Sequence, residues 1–80
     1  MKKYDLGILG AACRKYRQEK GIPQREIAMD LGMYDSTISR FEQGASDSAY
    51  ILLWYLRAGF TLKDLIREEA LYAESTETHN

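Results

Sequence analysis

Residues 24–44 read QREIAMDLGMYDSTISRFEQG, and this stretch decides the fold. Its apolar residues recur at helical spacing in two short segments, residues 27–31 and 38–41, which lie on either side of Gly32. Glycine readily adopts the left-handed backbone conformation with which many helices end. The stretch therefore predicts two short helices joined by a tight turn, and the second helix, residues 35–43, begins with small polar side chains.

Three further helices are expected around this pair. Residues 6–20 repeat apolar side chains at three- and four-residue spacing, although Gly7 and Gly10 weaken the start of that helix. Residues 48–58 are almost uninterruptedly apolar, which is typical of a helix that is buried on all sides. A last amphipathic helix follows and is expected to fray near Glu74. Because no segment alternates polar and apolar residues as a strand does, the sequence predicts an all-α chain.

The length and composition fit one globular domain. The chain has 80 residues, of which 45% are hydrophobic and 29% are charged, and such a chain can bury a single core. We expect the domain to span residues 1–74 and residues 75–80 to form a disordered polar tail, because the tail lacks core-forming side chains. Cys13 is the only cysteine and has no disulfide partner in the chain. With no apolar run of membrane-spanning length and no leader peptide, the sequence predicts a cytoplasmic protein without membrane contact.

Charge is distributed unevenly along the chain, although the formal net charge is only −1. Residues 1–40 carry eight basic and five acidic residues, whereas residues 41–80 carry three basic and seven acidic residues. This asymmetry favours a basic functional half and an acidic half that faces elsewhere. The one histidine, His79, lies in the expected tail, and the sequence has no catalytic triad, glycine-rich phosphate loop or metal-spaced cluster. No catalytic site, metal, cofactor or small-molecule substrate is therefore expected.

A set of positions spread over residues 6–67 carries a family resemblance. These positions are Leu9-Gly10, Cys13, Tyr16-Arg17, Gly21-Ile22-Pro23-Gln24, Glu26-Ile27-Ala28, Gly32, Ser36, Ile38-Ser39 and Phe41-Glu42-Gln43-Gly44. They resemble the XRE family, the helix-turn-helix group of phage repressors and Cro proteins. The resemblance implies a lambda repressor-like DNA-binding domain, a compact bundle of about five helices whose third helix, residues 35–43, lies in the major groove. It also implies a sequence-specific regulator of transcription that binds double-stranded DNA, of the phage or prophage repressor type.

The resemblance and the local charges indicate which side chains contact the DNA. Four are expected to read base edges: Tyr34, Asp35, Ser36 and Arg40. Four others are candidates for backbone contacts: Gln24, Arg25, Thr37 and Ser39. Arg40 leads the first group, because a guanidinium donates two hydrogen bonds to guanine O6 and N7. Gln24 would hold a phosphate together with the free N–H groups of its helix, while a plain surface role stays open for both Arg40 and Gln24.

One pair of charged residues is expected to be structural. The family pattern pairs an arginine of the first helix, here Arg17, with the glutamate before the Gln-Gly turn, here Glu42. A partly buried, bidentate bridge between them would clamp the recognition helix to the first helix. Both residues would then matter for binding without touching DNA.

The chain departs from the family pattern in ways that lower the expected affinity for DNA. Pro23 and Tyr34 stand where Ser or Thr is usual, so both side-chain caps are missing. Tyr34 either packs on the turn or lies against the DNA. Asp35 and Asp47 repel phosphates, and the loop at residues 45–48 offers no cation. A single copy should bind weakly, so we expect a homodimer or a partner regulatory protein.

The candidate surface for such a partner is rich in large apolar side chains. Its members are Tyr50, Leu53, Trp54, Tyr55, Leu65 and Tyr72. Dimerisation would bury this surface, whereas the alternative is that the first and fifth helices of the same chain cover it. The rival function is a protein-binding helix-turn-helix module, an antirepressor or a modulator of another regulator, that binds DNA weakly or not at all. The acidic second half favours that rival, and the short polar tail disfavours a toxin-wrapping antitoxin.

Overall fold

Five helices follow one another along residues 5–77, which are the part of the chain that the computed structural model describes. They are α1 (Leu6–Glu19), α2 (Gln24–Leu31), α3 (Asp35–Glu42), α4 (Ala49–Ala58) and α5 (Leu62–Glu77). Helix α1 packs against α3 and α5, and α2 packs against α3 and α4. The described residues include no strand, so the predicted all-α bundle with a helix-turn-helix is confirmed.

The turn between α2 and α3 has the geometry that the sequence predicts. Gly32 ends α2 in the left-handed conformation, with φ of 66°, and the N–H of Met33 donates to the carbonyl of Ala28 over 2.8 Å. Pro23 and Tyr34 precede α2 and α3 in extended conformations, and neither side chain caps its helix. The missing caps are therefore confirmed, and backbone geometry alone starts both helices.

Helix α1 approaches the C-terminal end of α3 so closely that only glycine fits at the crossing. A Cβ atom at Gly10 would overlap the carbonyl oxygens of Phe41 and Glu42. Gly44 follows α3 with φ of 78°, and a Cβ atom there would lie 2.6 Å from the Cα of Gly7. Gly7 and Gly10 thus do more than weaken the start of α1: Gly10 permits the contact between α1 and α3.

The core is built from one face of each helix around an aromatic group. Tyr55 of α4 is fully buried, and its ring lies 6.4 Å from that of Tyr16 and 6.1 Å from that of Phe60, both edge to face. The prediction that Tyr55 belongs to a partner surface is wrong, because residues four apart share a helix face and Tyr55 follows the buried Ile51. Leu65 is half-buried against the same core, so its assignment to the partner surface stays a prediction.

The opposite face of α4 is uncovered within the chain. Tyr50 is 70% exposed, Leu53 52% and Leu56 50%. The prediction that α4 is buried on all sides is therefore wrong, because α2 flanks it on one side while α5 packs on α1. The alternative in which the chain's own helices cover the apolar surface holds for Tyr55, holds in part for Leu65 and fails for Tyr50 and Leu53.

Helix α5 extends beyond the point at which we expected it to fray. It continues past Glu74 to Glu77, because residues 75–77 contain neither proline nor glycine to interrupt it. Those three residues are thus helical rather than part of the predicted disordered tail, and residues 78–80 lie outside the described residues. Among the described helices, none combines the length and the apolar character that crossing a membrane requires.

Candidate nucleic-acid interface

Helix α3 presents a polar face opposite its buried one. Ile38 and Phe41 point into the core, and helical spacing places Ser36, Arg40 and Gln43 together on the outer side, where all three are exposed. Gln43 lies one residue beyond α3, and sequence reasoning did not select it as a site residue, although it follows Ser36 by two helical turns. An amide and a guanidinium on one helix face are the groups that pair with purine edges in the major groove.

The predicted contacts at the start of α3 also lie on the surface. Asp35 is exposed in the first turn, where a carboxylate stabilises the N-terminus of the helix. Tyr34 is 82% exposed, so of its two predicted placements, packing on the turn is wrong. Thr37 and Ser39 are half-buried on the flanks of α3, and the Ser39 hydroxyl accepts a hydrogen bond from the Gln43 amide over 3.1 Å.

A polar cleft of about 470 Å³ separates the starts of α2 and α3 from α1. Its lining includes Arg14, Arg17, Gln24, Arg25, Asp35, Ser39 and Gln43. Arginine, amide and hydroxyl donors in one concave surface suit an anionic group such as a phosphate. Asp35 opposes that charge, so the cleft is basic on the α1 and α2 sides and acidic at the start of α3.

The carboxylate of Glu42 joins four helices. Arg17 of α1 forms the predicted bidentate bridge to it, with Nε 2.7 Å from Oε2 and Nη2 3.0 Å from Oε1. Tyr55 of α4 donates to Oε2 over 2.6 Å, and Gln24 of α2 donates to Oε1 over 3.1 Å. The third guanidinium nitrogen of Arg17, Nη1, donates to the carbonyl of Ile22 over 3.0 Å. We call these side chains of Arg17, Gln24, Glu42 and Tyr55 the Glu42 cluster.

Sequence reasoning found half of this cluster. The sequence predicts the pairing of Arg17 with Glu42, but it also predicts that Gln24 contacts a DNA phosphate and that Tyr55 belongs to a partner surface. The structure turns one Gln24 amide N–H inward to Glu42. Tyr55 could have been suspected, because a tyrosine on the buried face of an apolar helix needs a hydrogen-bond partner for its hydroxyl.

The hydrogen bonds of the cluster keep the Glu42 carboxyl ionised. Burial alone would raise its pKa, but hydrogen bonds from Arg17, Tyr55 and Gln24 outweigh burial, and the pKa lies below its ordinary value. The hydrogen bond to Glu42 raises the pKa of Arg17 against the opposing effect of burial. Burial, followed by the hydrogen bond to Glu42, raises the pKa of Tyr55, so its phenol stays protonated as a donor.

These directions predict a loss of stability in acid. The pKa of Glu42 is lower in the folded chain than in the unfolded chain, so its contribution is full above the unfolded value of about 4.3 and is lost as pH falls through the folded value. Urea unfolding at several pH values between 5 and 3 should show the free energy of unfolding falling more steeply in the wild type than in Glu42→Gln. Equal slopes in the two proteins would contradict the prediction.

The predicted partner surface separates into two places. Tyr50, Leu53 and Trp54 line one side of a cleft of about 440 Å³ between α4 and α2, and the indole N–H of Trp54 donates to Asp30 over 2.9 Å. Tyr72 is 44% exposed on α5, which packs on α1. The structure therefore brings three of the six predicted residues together on α4, beside the end of α2.

The comparison with protein families agrees with this geometry. Residues 14–49 match the helix-turn-helix family model, and the matched span holds α2, α3, Arg17 and Glu42. Neither the curated proteins nor the solved structures give a significant match. Within the described residues, no group of three or more His, Cys, Asp or Glu could hold a metal ion. The matched span, the turn at Gly32 and the Arg17–Glu42 bridge together show that this part of the chain is a helix-turn-helix similar to those of the XRE family.

Proposed function

We propose that this chain is a sequence-specific, double-stranded DNA-binding regulator of transcription, of the phage or prophage repressor type, and that α3 enters the major groove. The observation that carries the proposal is the arrangement of α3 itself. Its outer face holds exposed Ser36 and Arg40, while Glu42 on the inner side is hydrogen-bonded to three other helices. A helix held so firmly presents its outer side chains at a fixed angle, as base recognition requires.

Base recognition is assigned to the outer face and the start of α3. Arg40 donates two hydrogen bonds to a guanine, and Ser36 contacts the neighbouring base edge. Asp35 accepts a hydrogen bond from a cytosine amino group, which converts its repulsion of phosphates into a sequence preference. Tyr34, with its ring exposed, lies against the DNA beside them.

Backbone contacts are assigned to the polar cleft and its rim. Arg25 is exposed and attracts a phosphate, and Thr37 and Ser39 donate hydroxyl hydrogen bonds from the flanks of α3. Gln24 contributes mainly by positioning α2, because it is bonded to Glu42. The loop at residues 45–48 still has no cation, so one copy has modest affinity and acts as a homodimer or with a partner regulatory protein.

Arg40→Ala is expected to weaken binding to a selected duplex about 5- to 150-fold, the equivalent of ~1–3 kcal/mol for a lost bidentate contact. Binding to random duplex should change by a smaller factor, because phosphate attraction dominates there. Fluorescence anisotropy with both duplexes across a salt series measures the two affinities. Arg67→Ala is the matched control, since Arg67 is an exposed arginine on α5 and should leave both affinities unchanged.

The same assay separates the regulator from its rival. A DNA regulator loses affinity linearly in log salt, with a slope that grows with the number of phosphates contacted. If the folded wild type binds neither duplex at low salt, the proposal fails and the protein-binding module remains. Asp35 and the loop at Asp47 would then be features of a surface that no longer meets DNA.

A further inference from the structure

Arg14 of α1 is an exposed cation that no carboxylate neutralises. Within residues 5–77, the ion pair of the chain joins Arg17 to Glu42, and no acidic side chain lies within ion-pair distance of Arg14. A cation without an internal counter-charge keeps its full attraction for an external anion. The location of Arg14 in the fold therefore decides which anion it can meet.

Arg14 stands between two polar clefts that lie on either side of the end of α3. The first is the polar cleft at the starts of α2 and α3. The second has a volume of about 400 Å³ and lies between α1, the end of α3 and α5; we call it the α1 cleft. Its lining consists of Ala11, Arg14, Lys15, Gln18, Glu42, Gln43 and Glu68. Because Arg14 and Gln43 line both clefts, these two side chains are neighbours across the contact between α1 and α3.

The α1 cleft opens beside the face of α3 that is proposed to enter the major groove. Gln43 lies on that face with Ser36 and Arg40, and it also lines the α1 cleft. The major groove is about 12 Å wide, and a helix with its side chains is about 10–12 Å across. A helix in the groove therefore has backbone phosphates close along its edges, and the mouth of the α1 cleft lies at one of these edges.

We propose that Arg14 binds a phosphate of the DNA backbone at the α1 cleft, together with the amides of Gln18 and Gln43. This inference rests on the proposed function, because it names a further DNA contact of the same interface. A guanidinium donates two parallel hydrogen bonds to phosphate oxygens. The loop at residues 45–48 has no cation, so Arg14 makes from α1 the kind of phosphate contact that this loop cannot make.

The two amides have hydrogen-bond donors to spare. Gln18 follows Arg14 by one helical turn on the same face of α1, and its side chain is exposed. Gln43 uses one of its two amide N–H groups to donate to the Ser39 hydroxyl over 3.1 Å, which leaves the other for a phosphate oxygen. Amide side chains and arginines are common partners of DNA phosphates, so the three side chains form a suitable set.

Two carboxylates line the same cleft, but neither cancels the charge of Arg14. Glu42 is already paired with Arg17. Glu68 of α5 also borders a small recess that Lys15 lines and Arg14 does not. Because Lys15 accompanies Glu68 in both places, Lys15 is the cation that offsets Glu68, and the charge of Arg14 remains for the DNA.

Arg14→Ala should weaken binding to a selected and to a random duplex by the same factor, because a phosphate contact positions the protein and reads no base. One phosphate contributes a salt slope of about 0.9 and gives no advantage near 1 M salt, so the loss for each bound copy should fall from about 15-fold to about 4-fold between roughly 50 and 200 mM salt. Fluorescence anisotropy titrations over this range measure the slope, which should decrease by about 0.9 per bound copy.

Lys15→Ala is the matched control. Lys15 is the next residue of α1, is also exposed and carries the same charge, but its charge is offset by Glu68. Its removal should change either affinity by less than about twofold. Arg14→Lys keeps the positive charge and should keep the salt slope of the wild type. All three variants should retain the circular dichroism spectrum and the urea midpoint of the wild type, since these side chains are exposed.

Neutral methylphosphonate linkages locate the phosphate. A selected duplex that carries one such linkage at a time should lose affinity for the wild type wherever a phosphate is contacted. At one position per bound copy, the linkage should weaken the wild type but not Arg14→Ala, because both changes remove the same contact. Lys15→Ala should respond to every linkage as the wild type does. Losses that add to that of Arg14→Ala at every position would overturn the proposal.

The Arg14 contact and the proposed function are rejected by different results. Absence of wild-type binding to both duplexes at low salt rejects the proposed function and the Arg14 contact with it. Wild-type binding with an unchanged salt slope in Arg14→Ala, or with equal losses in Arg14→Ala and Lys15→Ala, rejects the Arg14 contact and leaves the regulator in place.

Discussion

Glu42→Ala should lower the free energy of unfolding by about 3–5 kcal/mol, the typical cost of removing one partner of a buried ion pair. The substitution leaves the Arg17 guanidinium, 11% exposed as a side chain, without its carboxylate. It also leaves the buried Tyr55 hydroxyl without its acceptor. A chain of 80 residues typically has a total stability of about 4–12 kcal/mol, so the loss is a large fraction of the total and the urea midpoint should fall markedly.

Urea unfolding followed by circular dichroism measures this loss. Glu19→Ala is the matched control, since Glu19 is an exposed glutamate on α1 and its removal should cost less than about 0.5 kcal/mol. The double variant Arg17→Met/Glu42→Leu should be more stable than Glu42→Ala, because replacing both charges by apolar groups leaves no buried ion unpaired. A loss below 1 kcal/mol in Glu42→Ala would show that the cluster does not clamp α3.

The Arg17–Glu42 ion pair is the part of the Glu42 cluster that could be predicted from the sequence. Family resemblance pairs Arg17 with Glu42, because the two residue types recur together at fixed places in the pattern. The hydrogen bonds from Gln24 and Tyr55 depend on where α2 and α4 lie relative to α3. No local pattern encodes that placement, and a polar residue at the start of a helix fits an inward bond as well as a phosphate contact.

For helix α4, the sequence predicts the helix itself but not which of its apolar residues are buried. Its apolar run correctly predicts a helix, and its periodicity identifies Ile51 and Tyr55 as core residues once the buried face is known. Composition alone cannot divide the remaining apolar residues between contacts inside the chain and contacts with a second molecule. Leu65 and Leu53 are both leucines on predicted helices, yet one packs on the core and the other is 52% exposed.

Gly10→Ala should also lower the free energy of unfolding substantially. Helix propensity, considered alone, predicts the opposite change. Helix propensity alone favours Gly10→Ala by roughly 1 kcal/mol. In the structure, however, the added methyl group would overlap the backbone carbonyls of Phe41 and Glu42, which cannot rotate away as a side chain would. Because overpacking against a rigid neighbour typically costs ~1–3 kcal/mol and occasionally more, we expect a net loss of about 2 kcal/mol, with α1 displaced from α3.

Gly7→Ala provides the comparison that isolates this contact. Gly7 lies one turn earlier in α1, and a Cβ atom there would meet only the Asp5 carboxylate, at 3.0 Å. A flexible side chain can move by that amount, so its unfolding free energy should change by less than about 1 kcal/mol in either direction. Because α1 also carries Arg17, a displaced α1 shifts the Glu42 bridge, and Gly10→Ala should weaken DNA binding while Gly7→Ala should not. Equal stability in the two variants would mean that α1 and α3 tolerate a wider separation, and the fixed presentation of Arg40 would then need another cause.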